Sequence, residues 1–320
     1  MQRNANILIS GANGFLGKAL MRSFEGHPFI NVLGVVRTKN HAVKSNYITI
    51  GDINKNTDWS EVLTEQDVVI HTAARTHIIN DRSLHPYDAY ERVNVGGTLS
   101  LAKQAAESGV KRFIFISSIK VLGEETLPGE SFNHQSNPDP ADDYSQSKYY
   151  AEKQLLAISK EKGMEVVIIR PPLIYGQNAK GNFAQMIKLI KTAMPLPLGT
   201  VENKRSLIGL GNLVDLIHTC IDHPNAAGQV LLVSDGKDLS TTELLKATAL
   251  AMNVKLKLFW VPQGMLLFVF KCLGRGQMIH RLFGSLQVDH SRTCELLDWQ
   301  PPYTVAEGLA HCFSEGNQND

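Results

Sequence analysis

The heptapeptide Gly11-Ala12-Asn13-Gly14-Phe15-Leu16-Gly17 constrains this chain more than any other feature. It directly follows the apolar run Ile7-Leu8-Ile9 and opens a stretch, residues 15–24, with helical spacing. Glycines at such a juncture let the backbone turn tightly out of a strand, approach a ligand closely and pack the new helix on the strand. The helix start then offers free N–H groups and partial positive charge, a ready seat for a pyrophosphate. A glycine triplet alone says little. This one stands between a strand and a helix, in the first unit of a repeating strand–helix pattern, and there it reads as a dinucleotide-binding turn.

The repeat runs through the first half. Apolar runs at 7–10, 32–36, 47–50, 67–70, 113–116 and 166–169 alternate with helix-like stretches that include 15–24, 93–106 and 144–160. Continuous apolar strands separated by helices predict an α/β fold, a doubly wound parallel Rossmann sheet covered on both faces. The pattern breaks after Arg170, because Pro171 and Pro172 forbid a continuing regular strand. A helix is expected over 183–192, stopped by Pro195 and Pro197, then another at 213–220 and a returning strand at 230–233. The expected division is a dinucleotide-binding domain over 1–174, re-entered at about 208–236. A smaller, discontinuous C-terminal α/β substrate subdomain then spans 175–207 and 237–313, and a polar tail at 314–320 is expected to fray. A length of 320 residues suits about two such units.

Charge narrows the partners. There are 32 basic and 31 acidic residues, a net charge of +1. That balance argues against a broad cationic surface built for nucleic acid or anionic lipid, and leaves room for a small, local anion site. The four cysteines lie far apart with no C-x-x-C, and the histidines show no metal-ligand spacing, so reduced thiols and no metal are expected. No leader-like apolar core opens the chain, and a cytoplasmic location is expected. Residues 256–273 are apolar but interrupted by Lys257, Pro262, Gln263, Gly264 and Lys271, too short for a membrane span. They read as a strand and a buried helix of the C-terminal subdomain, with an oligomer or membrane-surface contact as the alternative.

Tyr144-Ser145-Gln146-Ser147-Lys148 places a tyrosine and a lysine one helical turn apart at the start of the 144–160 helix. A neighbouring ammonium favours the phenolate, so Tyr144 is expected to move a proton at a hydroxyl or carbonyl with Lys148 lowering its pKa. Ser118, just past the strand at 113–116, lies at the C-terminal strand end where α/β sites form, and is expected to hydrogen-bond the substrate oxygen. At the end of the second strand, where NAD sites carry an acid, the chain reads Val36-Arg37-Thr38-Lys39. Arg37 can bond a 2′-phosphate, so NADP(H) is favoured over NAD(H).

G-x-x-G-x-x-G, S-x-x-V-L-G and Y-x-x-x-K, in this order, resemble an extended short-chain dehydrogenase/reductase of the nucleotide-sugar epimerase/dehydratase group. Arg205-Ser206-Leu207-Ile208 with Asn212-Leu213-Val214-Asp215-Leu216, and the closing stretch through Trp299 and Pro301, extend the likeness over nearly the whole chain. The resemblance implies cofactor contacts from Gly11, Asn13, Gly14, Phe15, Leu16, Gly17, Asp52, Ile53, Ala73, Ala74, Asn94, Tyr144 and Lys148. Asn94 is read as structural, bridging backbone, and His71 as a packed turn histidine. It also implies a UDP-sugar substrate held by Ser118, Tyr144, Asn182, Arg205 and Arg281, and pairing of two copies through a helical bundle that includes 144–160.

Within the group, Arg112–Val121 and Ile169–Gly176 are worded most like bacterial polysaccharide-locus enzymes, either UDP-glucose 4-epimerase-like proteins or UDP-4-keto-6-deoxy-hexosamine 4-reductases. Typical 4-epimerases carry tyrosine at position 122, often asparagine at 173, and an acid at 37; this chain has Leu122, Leu173 and Arg37. These departures place a 4-keto reductase first, with a 4-epimerase as the alternative and a small-molecule carbonyl or hydroxysteroid-type dehydrogenase as the second alternative.

Overall fold

The computed structural model describes residues 5–38, 46–76, 86–272 and 276–314, with the side chains of 86, 269–270, 276–278 and 281 excepted. The strands are β1 (Ala5–Ser10), β2 (Ile30–Val36), β3 (Tyr47–Thr49), β4 (Val68–His71), β5 (Arg112–Ile116), β6 (Glu165–Arg170), β7 (Leu173–Tyr175), β8 (Leu207–Gly209) and β9 (Val230–Leu232). Seven form one sheet in the order β3-β2-β1-β4-β5-β6-β9, every pair parallel. The order reverses between β1 and β4, and that switch point is where open α/β sheets bind their ligands. The doubly wound parallel sheet read from the sequence is therefore the one that forms.

The helices are α1 (Phe15–Ser23), α2 (Ser60–Leu63), α3 (Pro86–Tyr90), α4 (Thr98–Glu107), α5 (Asp143–Lys162), α6 (Asn182–Lys191), α7 (Leu210–Asp222), α8 (Thr241–Ala251), α9 (Gln263–Cys272), α10 (Gly276–Phe283), α11 (Ser291–Leu297) and α12 (Val305–Phe313). Strand residues alternate between two cores, as the two-residue period of a pleated strand requires. Ile7, Ile9, Ile70, Ile114 and Ile169 pack with Leu20 of α1 and Leu213 and Leu216 of α7. Leu8, Val69, Phe113, Phe115 and Ile168 pack on the other face with Leu101 and Ala105 of α4 and Leu155 of α5. Each fully buried aliphatic side chain contributes roughly 1.5–3 kcal/mol, which is why apolar periodicity decides the fold.

α5 has both of its ends written in the sequence. Asp142 and Ser145 form a reciprocal capping box, and Gly163 closes the helix at φ +73°. The helix expected over 93–106 is divided. Glu91–Gly97 is wound as a π-helix, with α4 continuing from Thr98. A side chain at Gly97 would collide with that of Ile53, so the wide turn lies tight against the β3–α2 connection.

After β6 the chain leaves the sheet. β7 and β8 pair in parallel as a separate two-stranded sheet, and β9 then returns to the edge beside β6. The second half has its own apolar clusters, one around Tyr175, Phe183, Leu244 and Leu309 and another around Ile190, Leu198, Leu245, Val261 and Leu266. Asp235 ties it to the sheet, accepting from Tyr175 Oη at 2.7 Å and from Asn212 Nδ2 at 2.7 Å. Trp299 Nε1 donates to Asp215 at 2.6 Å, joining the closing element to α7.

The stretch 256–273 departs from expectation. Its helix, α9, is present, but it is not buried: Leu266 is 7% exposed whereas Met265 is 59% and Phe268 68% exposed. Before it, residues 257–259 pair with 196–199 through isolated backbone bonds rather than forming a regular strand. The expected polar tail falls largely on 315–320, outside the described residues.

Candidate active site at the β1–β4 crevice

The glycine turn is as narrow as its sequence demands. Gly11 has φ +73°, a conformation that disfavours any side chain, and a Cβ there would lie 2.7 Å from the Ala73 nitrogen. A Cβ on Gly17 would strike the Gly11 carbonyl. The turn thus presses against the β4 turn, with Gly14 entering α1 without a side-chain cap. Asn13 is exposed, while Leu16 is buried and Phe15 packs toward the second half beside Gly176. A cradle without side chains at a helix start, on the switch point of a parallel sheet, fits a dinucleotide pyrophosphate. The buried Ser117 hydroxyl, which has no protein partner among the described residues, adds an unclaimed polar group just past β5.

Arg37 and Asp52 face each other across the ends of β2 and β3. Their ion pair spans 3.8 Å with side chains 72% and 77% exposed, so it is worth little and leaves Arg37 open to a ligand. Ile53 packs against Gly97. Ala73 and Ala74 follow β4 in the same crevice wall. Lys39 falls outside the described residues.

Asn94 braces this wall. Its Oδ1 accepts from the Arg75 backbone N–H at 2.8 Å, and its Nδ2 donates to the Arg75 carbonyl at 3.0 Å and to Ser147 Oγ at 2.9 Å. One buried amide therefore holds the β4 turn against α5. Behind it, the tautomer of His71 follows from its neighbours. Thr98 Oγ1 donates to the Asn94 carbonyl at 2.7 Å, so it accepts from His71 Nε2 at 2.9 Å, and His71 Nδ1 accepts from Ser10 at 2.5 Å. Burial, reinforced by the Lys148 charge, holds this histidine neutral, its pKa pushed down to about 3.

Ser118 and Tyr144 meet. Ser118, extended at φ −156°, caps the short 3₁₀ turn at 119–121, and its hydroxyl faces that of Tyr144. Lys148, one turn further along α5, is buried; its ammonium donates to the Ile116 carbonyl at 2.7 Å and lies 4.3 Å from the centre of the Phe115 ring. The sequence predicts that Lys148 lowers the tyrosine pKa. The folded site is set differently. Burial raises the Tyr144 phenol above its ordinary range, the Asp142 charge and Tyr90 add to this, and the facing Ser118 hydroxyl opposes it. Burial also pushes Lys148 down to about 7, against the charge of Glu152.

Several contributors carry no motif of their own. The Tyr90 ring meets Tyr144 edge-on with centroids 6.2 Å apart, and the Arg75 guanidinium lies 5.6 Å from the Tyr90 ring centre. Lys120, inside the Ser117–Gly123 stretch, pairs with Asp142 at 2.9 Å and Glu124 at 2.8 Å, tempering the carboxylate that raises Tyr144. Its position between Ser118 and Gly123 was the available signal. Glu152, which the helix period alone places one turn from Lys148, grips Arg170 behind that lysine.

The expected substrate contacts lie on the other side of the crevice. The Arg205 guanidinium donates to the carbonyls of Gly284 at 3.0 Å and His280 at 3.4 Å, and the charges of Glu124 and Glu125 face it. Glu125 pairs with His280 at 2.7 Å, and Thr126 N–H donates to the Ser285 carbonyl. The loop that begins at Ser118 thus runs to Arg205. Asn182 is the exposed first residue of α6. The Arg281 side chain lies outside the described residues. Leu122 is buried among Ile119, Leu232 and Leu286, and Leu173 packs toward Tyr175, so both departures from the epimerase pattern fill apolar space.

The family model described as NAD dependent epimerase/dehydratase matches residues 7–233. The chain is 47% identical over 319 residues to a UDP-glucose 4-epimerase of Vibrio cholerae, covering 98% of this chain and 96% of that one. It is 28% identical over 321 residues to N-acetyl-alpha-D-glucosaminyl-diphospho-ditrans,octacis-undecaprenol 4-epimerase of Escherichia coli O157:H7, covering 96% and 93%. Among solved structures, UDP-glucuronic acid 4-epimerase from Bacillus cereus, in complex with UDP-glucuronic acid and NAD, superimposes with a TM-score of 0.77 at 19% identity, covering 96% of this chain and 98% of that one.

Proposed function

The chain belongs to the NAD dependent epimerase/dehydratase family, and on that premise we propose that it inverts C4 of a UDP-hexose or UDP-hexosamine. The observation that carries this reading is the approach of the Ser118 and Tyr144 hydroxyls at the mouth of the β5 strand, with Lys148 one turn along α5. The two similar 4-epimerases, both matched over nearly their whole length, support C4 as the reacting carbon. They outweigh the three departures that place a 4-keto reductase first in the sequence.

A bound nicotinamide supplies the acceptor and donor of hydride. The chain supplies the rest. Tyr144 takes the proton from the C4 hydroxyl and Ser118 holds the C4 oxygen through its hydrogen bond. Lys148 holds the cofactor ribose and supplies positive charge. When the keto sugar has turned over, Tyr144 returns the proton on the other face. Arg205 takes the diphosphate. Arg37, exposed at the end of β2, supports a preference for NADP(H). The division into a cofactor domain and a discontinuous substrate subdomain, a place in polysaccharide sugar synthesis, a cytoplasmic location and pairing through α5 belong to the same reading. The separate apolar clusters of the second half support the division.

The test is to incubate the protein with UDP-glucose and UDP-N-acetylglucosamine in the presence of NAD+ or NADP+, and with a UDP-4-keto-6-deoxy sugar in the presence of NADH or NADPH, following nicotinamide absorbance and products. A C4 isomer formed from the hexoses without net change in the cofactor's redox state is expected. Stoichiometric oxidation of the reduced cofactor by the keto sugar, with no isomerisation, overturns the epimerase in favour of the reductase.

A further inference from the structure

Between Glu243 and Asp289 there is no acidic residue, but six basic ones: Lys246, Lys255, Lys257, Lys271, Arg275 and Arg281. Since the whole chain carries only +1, the remainder is net negative, and overall neutrality conceals a local cationic block. The same block exposes large apolar side chains: Phe259 by 46%, Trp260 by 68%, Met265 by 59% and Phe268 by 68%.

These side chains sit on a held framework. Leu196 N–H donates to the Lys257 carbonyl, Phe259 N–H to that of Leu196, and Gly199 N–H to that of Phe259, fixing the segment before α9. Leu256 and Leu258 pack inward, so Lys255 and Lys257 alternate outward. On α9, Leu266 and Leu267 face the cluster around Val261, Leu198 and Phe283. Met265 and Phe268, three residues apart, share the opposite face, and the exposed Lys271 continues it.

We propose that this face seats on an anionic phospholipid bilayer, with α9 lying in the plane of the interface. An aromatic and apolar surface edged by lysines is the composition of an interfacial element, with tryptophan at headgroup level and cations drawn to anionic lipid. At ten residues α9 is too short to cross, and among the described residues no helix is long and apolar enough to do so. A protein partner fits less well, because protein interfaces are depleted in lysine and this one has no acidic complement of its own. α9 packs on α10, and the carbonyls of His280 and Gly284 at the end of α10 hold Arg205. The seated face is therefore one helix away from the proposed diphosphate contact, and the inference holds whichever sugar is bound.

The test is flotation of the full-length protein with vesicles of phosphatidylglycerol and phosphatidylethanolamine, and with phosphatidylcholine alone. Binding at least tenfold stronger to the anionic vesicles is expected, weakening with added salt. Trp59 and Trp299 are buried, so a vesicle-induced blue shift of fluorescence reports Trp260. Trp260→Ser with Phe268→Ser, and separately Lys255→Gln with Lys257→Gln and Lys271→Gln, should each reduce binding at least tenfold with UDP-sugar turnover unchanged. Each lysine accounts for roughly fivefold. The proposal is overturned if the wild type does not float with anionic vesicles, or if both sets of variants float equally well. It is also overturned if light scattering shows a dimer that the Trp260→Ser, Phe268→Ser protein cannot form, which would make this face an interface between copies.

Discussion

Glu152 and Arg170 form a two-pronged buried pair, Arg170 Nη2 to Oε2 at 2.6 Å and Nε to Oε1 at 3.0 Å, one helical turn beyond Lys148. The carboxylate is thus shared between the guanidinium that anchors it and the ammonium whose protonated form it favours. Glu152→Gln leaves Arg170 buried without its counter-charge and should cost about 3 kcal/mol of stability, read by denaturant unfolding. Removing that charge also lowers the Lys148 pKa, so the alkaline limb of the turnover profile should move to lower pH. An unmoved limb would show that Glu152 serves packing alone.

Tyr144→Phe removes one hydroxyl from a partly buried ring and its polar contact with the Ser118 hydroxyl. Turnover should fall by roughly 10²–10⁴-fold, the usual value of a positioned proton carrier. Stability should change by only about 1 kcal/mol, the net worth of one hydrogen bond. Cofactor retained on gel filtration, with turnover lost, is the expected pair of results.

The exposed Arg37 should set the cofactor preference. Arg37→Asp replaces two donors with a charge that repels a 2′-phosphate, so the NADPH affinity should drop roughly 10–100-fold relative to NADH. Titration of nicotinamide fluorescence checks it. An unchanged ratio would place the discriminator elsewhere.

His71 makes the fold acid-sensitive. It is neutral in the folded protein, with its pKa near 3, and titrates near the ordinary 6.5 when unfolded. The unfolded chain therefore binds the extra proton first. The stability term is complete above pH 6.5 and is lost as pH falls toward 3, on the order of 5 kcal/mol at most. His71→Gln cannot titrate, so its melting temperature should fall less steeply than that of the wild type between pH 6.5 and 4.

The sheet was legible because its signals are local. Uninterrupted apolar strands and the glycine turn each act over a few neighbouring residues, and parallel order follows from the helices between them. The meeting of Ser118 with Tyr144 was legible too, since a strand end and a helix start are brought together by that order. The charges around them were not. Lys120 reaches Asp142, and Glu152 reaches Arg170, only because the sheet sets distant segments side by side, and the direction of the Tyr144 shift depends on burial that no motif records.

By itself, then, the sequence determined which segments become strands and helices and which residue types gather at the crevice, because periodicity, glycine geometry and capping are short-range physics. The tertiary structure decided which side of an apolar segment is covered. Residues 256–273 are apolar apart from Lys257, Pro262, Gln263, Gly264 and Lys271, and it is the packing of Leu266 against Val261 and Phe283 that leaves Met265 and Phe268 facing solvent. Hydrophobicity says that a side chain gains by burial, and the remainder of the fold determines whether there is anything to bury it against.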